Sequence, residues 1–326
     1  MEDYELYKEV SSLKVITTTV GSYPRPKWFR EYLKKIEGLQ KDVHGEIDKD
    51  VLKKAIEEII TQQKKAKIDL MTDGQLIWHD FLAHLATKLD GFRMGKLVRY
   101  FDNNLYYRVP VAESKIKRKN KILEDFELAF EIEKNVKPVI TCFTLAKLSE
   151  NRYYSKLEDF VMDIAFAMAE EVKTLKSNWL QIDEPFLSYA SKDELQIAKN
   201  AIDILPKRKT ILMTYFDSVK NAFPHLLDFN VEIIGLDFIE GFKENLDAVK
   251  EYCPERICIG IVDGRNTKME RVEELEDKIN KIFDACQFKE VLISPNTGLE
   301  FLPWQKAFEK MLLLDKLKTK IVEVVK

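Results

Sequence analysis

Eight short apolar runs, each ending in polar residues, are spaced along nearly the whole chain: Lys14–Gly21, Ile68–Asp73, Pro138–Phe143, Trp179–Asp183, Thr210–Tyr215, Val231–Asp237, Ile257–Asp263 and Glu290–Ser294. Runs of this length, bounded by turn residues, read as buried strands. Most of the stretches between them have helical character. In Lys49–Lys67 the apolar positions Val51, Leu52, Ala55, Ile56 and Ile59 recur at helical spacing, and Asp48 is placed to cap that helix. From Ser155 onward the alternation is cleanest, with helices expected over Leu157–Lys176, Lys192–Leu205, Ser218–Leu227, Phe242–Tyr252, Met269–Cys286 and Trp304–Lys320. Strands alternating with helices argue for a parallel sheet. Eight such units predict an α/β fold of the (β/α)8 TIM-barrel type. An open doubly wound sheet is the alternative, weakened by the lack of a Gly-rich dinucleotide fingerprint or phosphate loop.

One connection is longer than a simple barrel requires. Between the second and third runs, Ile77–Leu89 reads as a helix, and Gly91–Pro110 reads as two strands around the turn cluster Asp102-Asn103-Asn104. The expectation is one barrel over residues 1–326, with an extension at 1–12 and a hairpin insertion at 91–115 that forms a wall or a buttress.

Composition changes this expectation little. Lys+Arg 52 against Asp+Glu 55 leaves a formal charge of −3, which argues against a broad nucleic-acid footprint. No apolar run approaches the roughly 20 residues needed to cross a bilayer, and the acidic start MEDYELYKEV lacks the apolar core of a signal peptide. Cys142, Cys253, Cys258 and Cys286 show no CxxC spacing, and Cys142 and Cys258 fall inside expected strands. A reducing, cytoplasmic setting is expected.

In a barrel the site is built from the C-terminal ends of the strands. The first end supplies Gly21 and Ser22, a close-approach turn with a hydroxyl. It is followed by Arg25, Lys27, Arg30 and Lys34, which suit an anion unless they are simply a solvated face. The second end supplies Asp73 and Gln75. The fourth supplies adjacent carboxylates, Asp183 and Glu184, that can receive an ammonium or work as acid and base. The seventh supplies Asp263, Arg265 and Asn266, where Arg265 either pairs with Asp263 or orients a carboxylate. No Ser-His-Asp or Cys-His arrangement emerges, and His44, His79, His84 and His225 are scattered among different elements.

The segments TTTVGSYPRP, LMTDGQLIWHDF, WLQIDEPFLS, LMTYFDS, GIVDGRN and SPNTGLEFLPW, in this order, resemble the cobalamin-independent methionine synthase superfamily. They run from residue 15 to about 310 and look closest to short archaeal core forms. The resemblance implies methyl transfer to homocysteine sulfur, with a zinc ion supplying the thiolate. It places Gly21, Ser22 and Asp183 around the amino-acid carboxylate and ammonium. Gln75 falls where long members carry a glutamate, which keeps a polar contact but removes a charge. The family's zinc ligands, a His-x-Cys, a Glu and a Cys, correspond here to Met213, Tyr215, Ile239 or Glu240, and Thr297. Met and Tyr are poor zinc ligands, so no metal is expected at the inherited site.

Phrases such as LMTYFDS and IVDGRN also resemble the metal-free N-terminal barrel of long members, whose basic residues after the first strand help bind a folate tail. Arg25, Lys27, Arg30 and Lys34 are placed for similar work. The resemblance therefore implies a zinc-less subunit in methionine biosynthesis. It would partner a separate zinc-bearing core barrel, hold a small molecule in its mouth and contribute to a methyl-donor site for a folate or related pterin. The alternatives are an independently active homocysteine S-methyltransferase with altered thiol activation, and a non-catalytic methionine- or pterin-binding protein.

Overall fold

The computed structural model describes residues 13–37, 47–99 and 106–325. The expected extension at 1–12 and the turn Asp102–Asn104 lie outside the described residues. The strands are β1 (Lys14–Thr17), β2 (Leu89–Arg99), β3 (Tyr106–Arg118), β4 (Val139–Ile140), β5 (Glu150–Asn151), β6 (Trp179–Asp183), β7 (Lys209–Met213), β8 (Ile233–Asp237), β9 (Arg256–Val262) and β10 (Glu290–Pro295). Seven of them form one parallel sheet in the order β1-β10-β9-β8-β7-β6-β4. The fold is α/β on a parallel, half-barrel sheet.

Register explains what the sheet's inner face holds. Ile16 pairs with Leu292, Leu292 with Cys258, Cys258 with Gly235, Gly235 with Met213, and Met213 with Asp183. Of this row, Ile16, Leu292, Cys258 and Met213 belong to an inner apolar cluster with Ile211, Ile233 and Leu70. Neighbours such as Leu212, Ile234, Ile257 and Ile293 point the other way into the larger cluster shared with the helices. Burial on both faces is why these strands read as continuous apolar runs rather than alternating ones. Gly235 has no side chain because the Met213 sulfur fills that space, and a β-carbon there would collide with it.

The run Ile68–Asp73 departs from the expected strand. It makes isolated parallel bridges, Thr18 with Leu70 on one side and Met71 with Val136 on the other, without becoming a strand of the sheet. Past Met71 a side chain takes over from the neighbouring backbone: the Gln63 amide donates to the Thr72 carbonyl at 2.7 Å and accepts from the Thr72 amide at 3.1 Å. The run Pro138–Phe143 shortens to β4 because the helix Phe143–Lys147 begins at its end. The hairpin forms as β2–β3, antiparallel from Leu89 with Arg118 to Arg99 with Tyr106, longer than expected at both ends. β5, which the sequence pattern did not indicate, adds to β3 in parallel.

Two covalent or ionic ties were also not anticipated. Cys253, left-handed at the end of helix Phe242–Tyr252, forms a disulfide with Cys286, which directly follows helix Val272–Ala285. The sequence pattern did not indicate this pairing; Cys142 and Cys258, inside expected strands, are buried and free. Lys310, fully buried on the last helix, donates to both Glu270 oxygens at 2.8 Å and to the Lys268 carbonyl at 2.7 Å. Glu270 in turn accepts from the Asp263 amide at 2.8 Å, so the last helix holds the loop after β9. No helix among the described residues is long and apolar enough to cross a membrane. Replacing Lys310 with Met strands the Glu270 carboxylate, and chemical denaturation is expected to show a loss of about 3–5 kcal/mol.

Candidate functional site

A cavity of about 830 Å³ opens where β1, β6, β7, β9 and β10 end. It brings together Gly21, Ser22, Arg25, Arg30, Gln75, Asp183, Tyr215, Arg265 and Thr297 from the residues singled out in the sequence. Its far wall carries Trp78, Phe81, Tyr106 and Tyr107, the last two from the hairpin strand β3. The hairpin is therefore part of the wall. Tyr107 is held there by donating its hydroxyl to the Leu148 carbonyl at 2.8 Å.

Asp183 lies at the floor. Its Oδ1 accepts from Gln181 Nε2 at 2.7 Å, and its Oδ2 accepts from the Tyr215 hydroxyl at 3.1 Å. Gln181 also donates to the Val20 carbonyl, which ties the floor to the first strand end. Beneath it the fully buried Lys137 donates to Thr18 Oγ1 and to the Thr19 carbonyl, the latter at 2.7 Å. Burial lifts the Asp183 carboxyl to about 7, against the opposing pull of Gln181, Tyr215 and the Lys137 charge. Burial likewise lowers Lys137 to about 8. Loss of water penalises the charged form of each group, and their mutual attraction offsets only part of that.

The rim around Ser22 is set by backbone. The Leu299 amide donates to the Ser22 carbonyl at 2.9 Å, and the Tyr23 amide donates to the Gly74 carbonyl at 2.9 Å. Gln75 takes a positive φ of 50°, stabilised by its amide donating to Asp73 Oδ1 at 2.9 Å. A β-carbon at Gly21 would meet the Gln75 carboxamide at 3.1 Å, so the glycine lets that amide lie close over the turn. Arg25 donates to the carbonyls of Leu76 and Trp78, both at 2.5 Å, and so braces the second strand end against the first. Arg265 sits 5.2 Å over the Phe216 ring, with Glu240 Oε1 at 3.8 Å.

Several expected site residues are used elsewhere. Glu184 is fully buried, and its Oε1 accepts from the amides of Cys142 at 2.7 Å and Phe143 at 2.9 Å, while its Oε2 accepts from Thr144 at 2.6 Å. It anchors the start of a helix, as a negative charge does at that end, and does not face the cavity. Asp73 is buried under Gln75; burial, and then the nearby Asp125 charge, push its carboxyl well above the usual range. Asp263 turns back to accept from the Arg265 amide at 2.9 Å, and Asn266 accepts from the Lys268 amide at 2.9 Å. Lys27 and Lys34 lie on the exposed face of helix Lys27–Glu37, away from the cavity lining.

The inherited zinc positions do not make a zinc shell. Met213 is packed in the inner apolar cluster, Tyr215 donates to Asp183, Glu240 leans out toward Arg265, and Thr297 offers only a hydroxyl. Among the described residues no group of three or more His, Cys, Asp or Glu side chains is placed to hold a metal. This donor set does not fit zinc, which takes imidazole, thiolate and carboxylate in a closed tetrahedron.

A family profile described as the cobalamin-independent synthase catalytic domain matches residues 15–317. The chain belongs to the cobalamin-independent methionine synthase family. A methionine synthase of Sulfurisphaera tokodaii is 30% identical over 320 residues, covering 94% of this chain and 92% of its own. One from Sulfolobus acidocaldarius is 29% identical over 310 residues, covering 91% and 89%. The solved structure of a B12-independent methionine synthase from a Shewanella species, in complex with selenomethionine, shares the fold with a TM-score of 0.79 at 20% identity, covering 94% of this chain and 98% of that one.

In this member of the cobalamin-independent methionine synthase family, some site-building residues gave little sign in the sequence. Lys137 starts an apolar run, where a lysine reads as an exposed strand end. Glu300 lies beyond the last expected strand end, yet its carboxylate turns back to accept from the Ser22 hydroxyl. Tyr23 lines the cavity with a buried hydroxyl that has no hydrogen-bond partner. Asp237 and Asn296 were legible only as strand-end polar residues, although they connect several loops: Asn296 Nδ2 donates to Asp237 Oδ2 at 3.1 Å.

Two outcomes follow from this geometry. Asp183 titrates at about 7 when folded against 3.8 when unperturbed, so the folded chain holds the extra proton between those values. Its contribution to stability is present below the lower value and is lost as pH rises through the upper. Lys137 runs the other way, holding fewer protons when folded between about 8 and 10.5, so its burden eases as pH rises across that window. Binding of an ammonium-bearing ligand at Asp183 is expected to weaken about tenfold per pH unit below about 7 in calorimetric titrations. Lys137→Met should move that midpoint upward, and Asp183→Asn should flatten the profile. Separately, Glu184→Ala leaves buried amides without an acceptor and is expected to cost about 3 kcal/mol or more in urea denaturation.

Proposed function

We propose that this protein takes a methionine- or homocysteine-like amino acid at Asp183 and serves methyl transfer to homocysteine sulfur without a zinc of its own. In this reading it works beside a separate zinc-bearing barrel, contributing to methyl-donor binding or to that partner's stability. The observation that carries it is the Tyr215–Asp183 hydrogen bond. At the position that the resemblance matches to the family's thiolate ligand, a phenol donates to the floor carboxylate, and polar groups line the cavity around it. Selenomethionine bound to the Shewanella protein of the same fold supports the choice of ligand. Arg30 at the cavity edge, and Arg265 over Phe216, are the cations available to an anionic donor such as a folate or related pterin.

Closure of the sheet into an eight-membered ring, with the hairpin as an insertion in it, is part of the same proposal. The bridges from Leu70 to Thr18 and from Met71 to Val136, one on each edge of the sheet, support it.

A second reading is an independently active homocysteine S-methyltransferase with a different way of activating the thiol. It is favoured by relatives of nearly the same length that are named methionine synthases. Elemental analysis and turnover separate the two. The purified protein is expected to hold far less than one zinc per chain and to leave homocysteine unmethylated with folate and pterin donors. Added to a separate zinc-bearing synthase, it should raise that enzyme's kcat/KM for the donor. One tightly held zinc, or turnover by the protein alone, would move the assignment to the second reading.

A further inference from the structure

We propose that Ser22, Arg25 and Arg265 form a carboxylate subsite that the chain's own Glu300 fills, so that Glu300 sets how tightly the cavity takes an amino-acid carboxylate. This rests on the reading of the cavity as an amino-acid site. The Ser22 hydroxyl donates to Glu300 Oε2, across the gap between the first and last strand ends. The two loops are locked by the Leu299 amide on the Ser22 carbonyl at 2.9 Å, so the hydroxyl stays in place when the Glu300 side chain moves. Gly298 is what lets them meet, because a β-carbon there would collide with both Ser22 Oγ and Glu300 Oε2.

Charge makes this an anion position. Arg25 and Arg265 both act on the Glu300 carboxylate in the sense that favours its ionised form. The guanidinium of Arg25 is fixed by the Leu76 and Trp78 carbonyls, so its charge cannot leave the rim. Loss of water in the crowded cavity works against Glu300 and raises its carboxyl, although the residue as a whole is exposed. The Glu300 side chain therefore bonds Ser22 at the rim while the residue keeps a solvent-exposed face. Two carboxylates cannot share one such position, since like charges at contact disfavour joint ionisation. A ligand carboxylate and Glu300 are therefore mutually exclusive occupants.

Tethered competition of this kind lowers apparent affinity by the fraction of molecules in which the subsite is open. Calorimetry on the full chain tests it with L-methionine, with methionine lacking its amino group (the acid), and with methionine lacking its carboxylate (the amine). Glu300→Ala and Glu300→Gln are expected to bind L-methionine and the acid about tenfold more tightly than the unmodified protein, if about a tenth of molecules are open. The amine should gain nothing, and Ser22→Ala added to Glu300→Ala should erase the gain. Acid binding that is equal or weaker in both Glu300 variants overturns the subsite; if L-methionine still binds throughout, the amino-acid reading stands without it. Tighter acid binding in the variants, with no L-methionine binding to any form, keeps the subsite and overturns the amino-acid reading. If no carboxylate binds any form that circular dichroism shows to be folded, both fall.

Discussion

A carboxylate buried at the end of a strand must be met by N–H or O–H donors, and the loops above this sheet are shaped by that demand. Asp237 shows it most fully. Its oxygens accept from the amides of Phe216 at 3.0 Å, Ile239 at 2.8 Å and Glu240 at 3.0 Å, and from the Asn296 carboxamide. Asn296 then accepts from the Gly264 amide at 2.9 Å. One buried anion thereby couples the loops after β7, β8, β9 and β10, and an unsatisfied group there would cost more than any single bond contributes. Glu184 does the same for the helix that follows β4. Backbone donors of the loops around the cavity are committed to these carboxylates.

Asp183 and Lys137 follow a different logic. Both are buried, both are shifted toward neutrality, and each is stabilised by the other's charge. A buried charged pair is weak as a source of stability, and an apolar pair of similar volume would hold the fold as well. Of the two, Asp183 lines the cavity, and a perturbed group in a cavity is a candidate for a functional role. His79 is the imidazole in the cavity lining, and among the described residues it is not part of a group of three or more side chains placed to hold a metal. Tyr215, by donating to Asp183, is part of a hydrogen-bonded floor.

Most of the architecture was visible in the chain itself. β6, β7, β9 and β10 fall within a residue or two of the apolar runs that predicted them, because strands covered on both faces must be apolar throughout. The Asp48 cap lies where the helix-start pattern puts it, since a side-chain acceptor beside free amides is a local matter. Ile68–Asp73 and Pro138–Phe143 were over-read as full strands. Their apolar character records burial, but Gln63 and Glu184 compete for their amides, and those competitors lie 9 and more than 40 residues away.

The site was legible as a set of strand ends and illegible as a set of roles. Sequence alone determined that Ser22, Gln75, Asp183 and Arg265 would come near one another, because parallel strands bring their C-terminal ends to one side. The residue types Met213, Tyr215 and Thr297 at strand ends were likewise legible in the chain, because residue type needs no fold. Only the tertiary structure decided between Asp183 and Glu184, neighbours in the chain whose side chains leave the strand end in different directions. It alone paired Cys253 with Cys286, placed Lys137 beneath the floor and brought Glu300 onto Ser22 across 278 positions. Contacts of that range depend on where each loop closes, and loop closure is set by packing and by buried hydrogen bonds rather than by any local pattern.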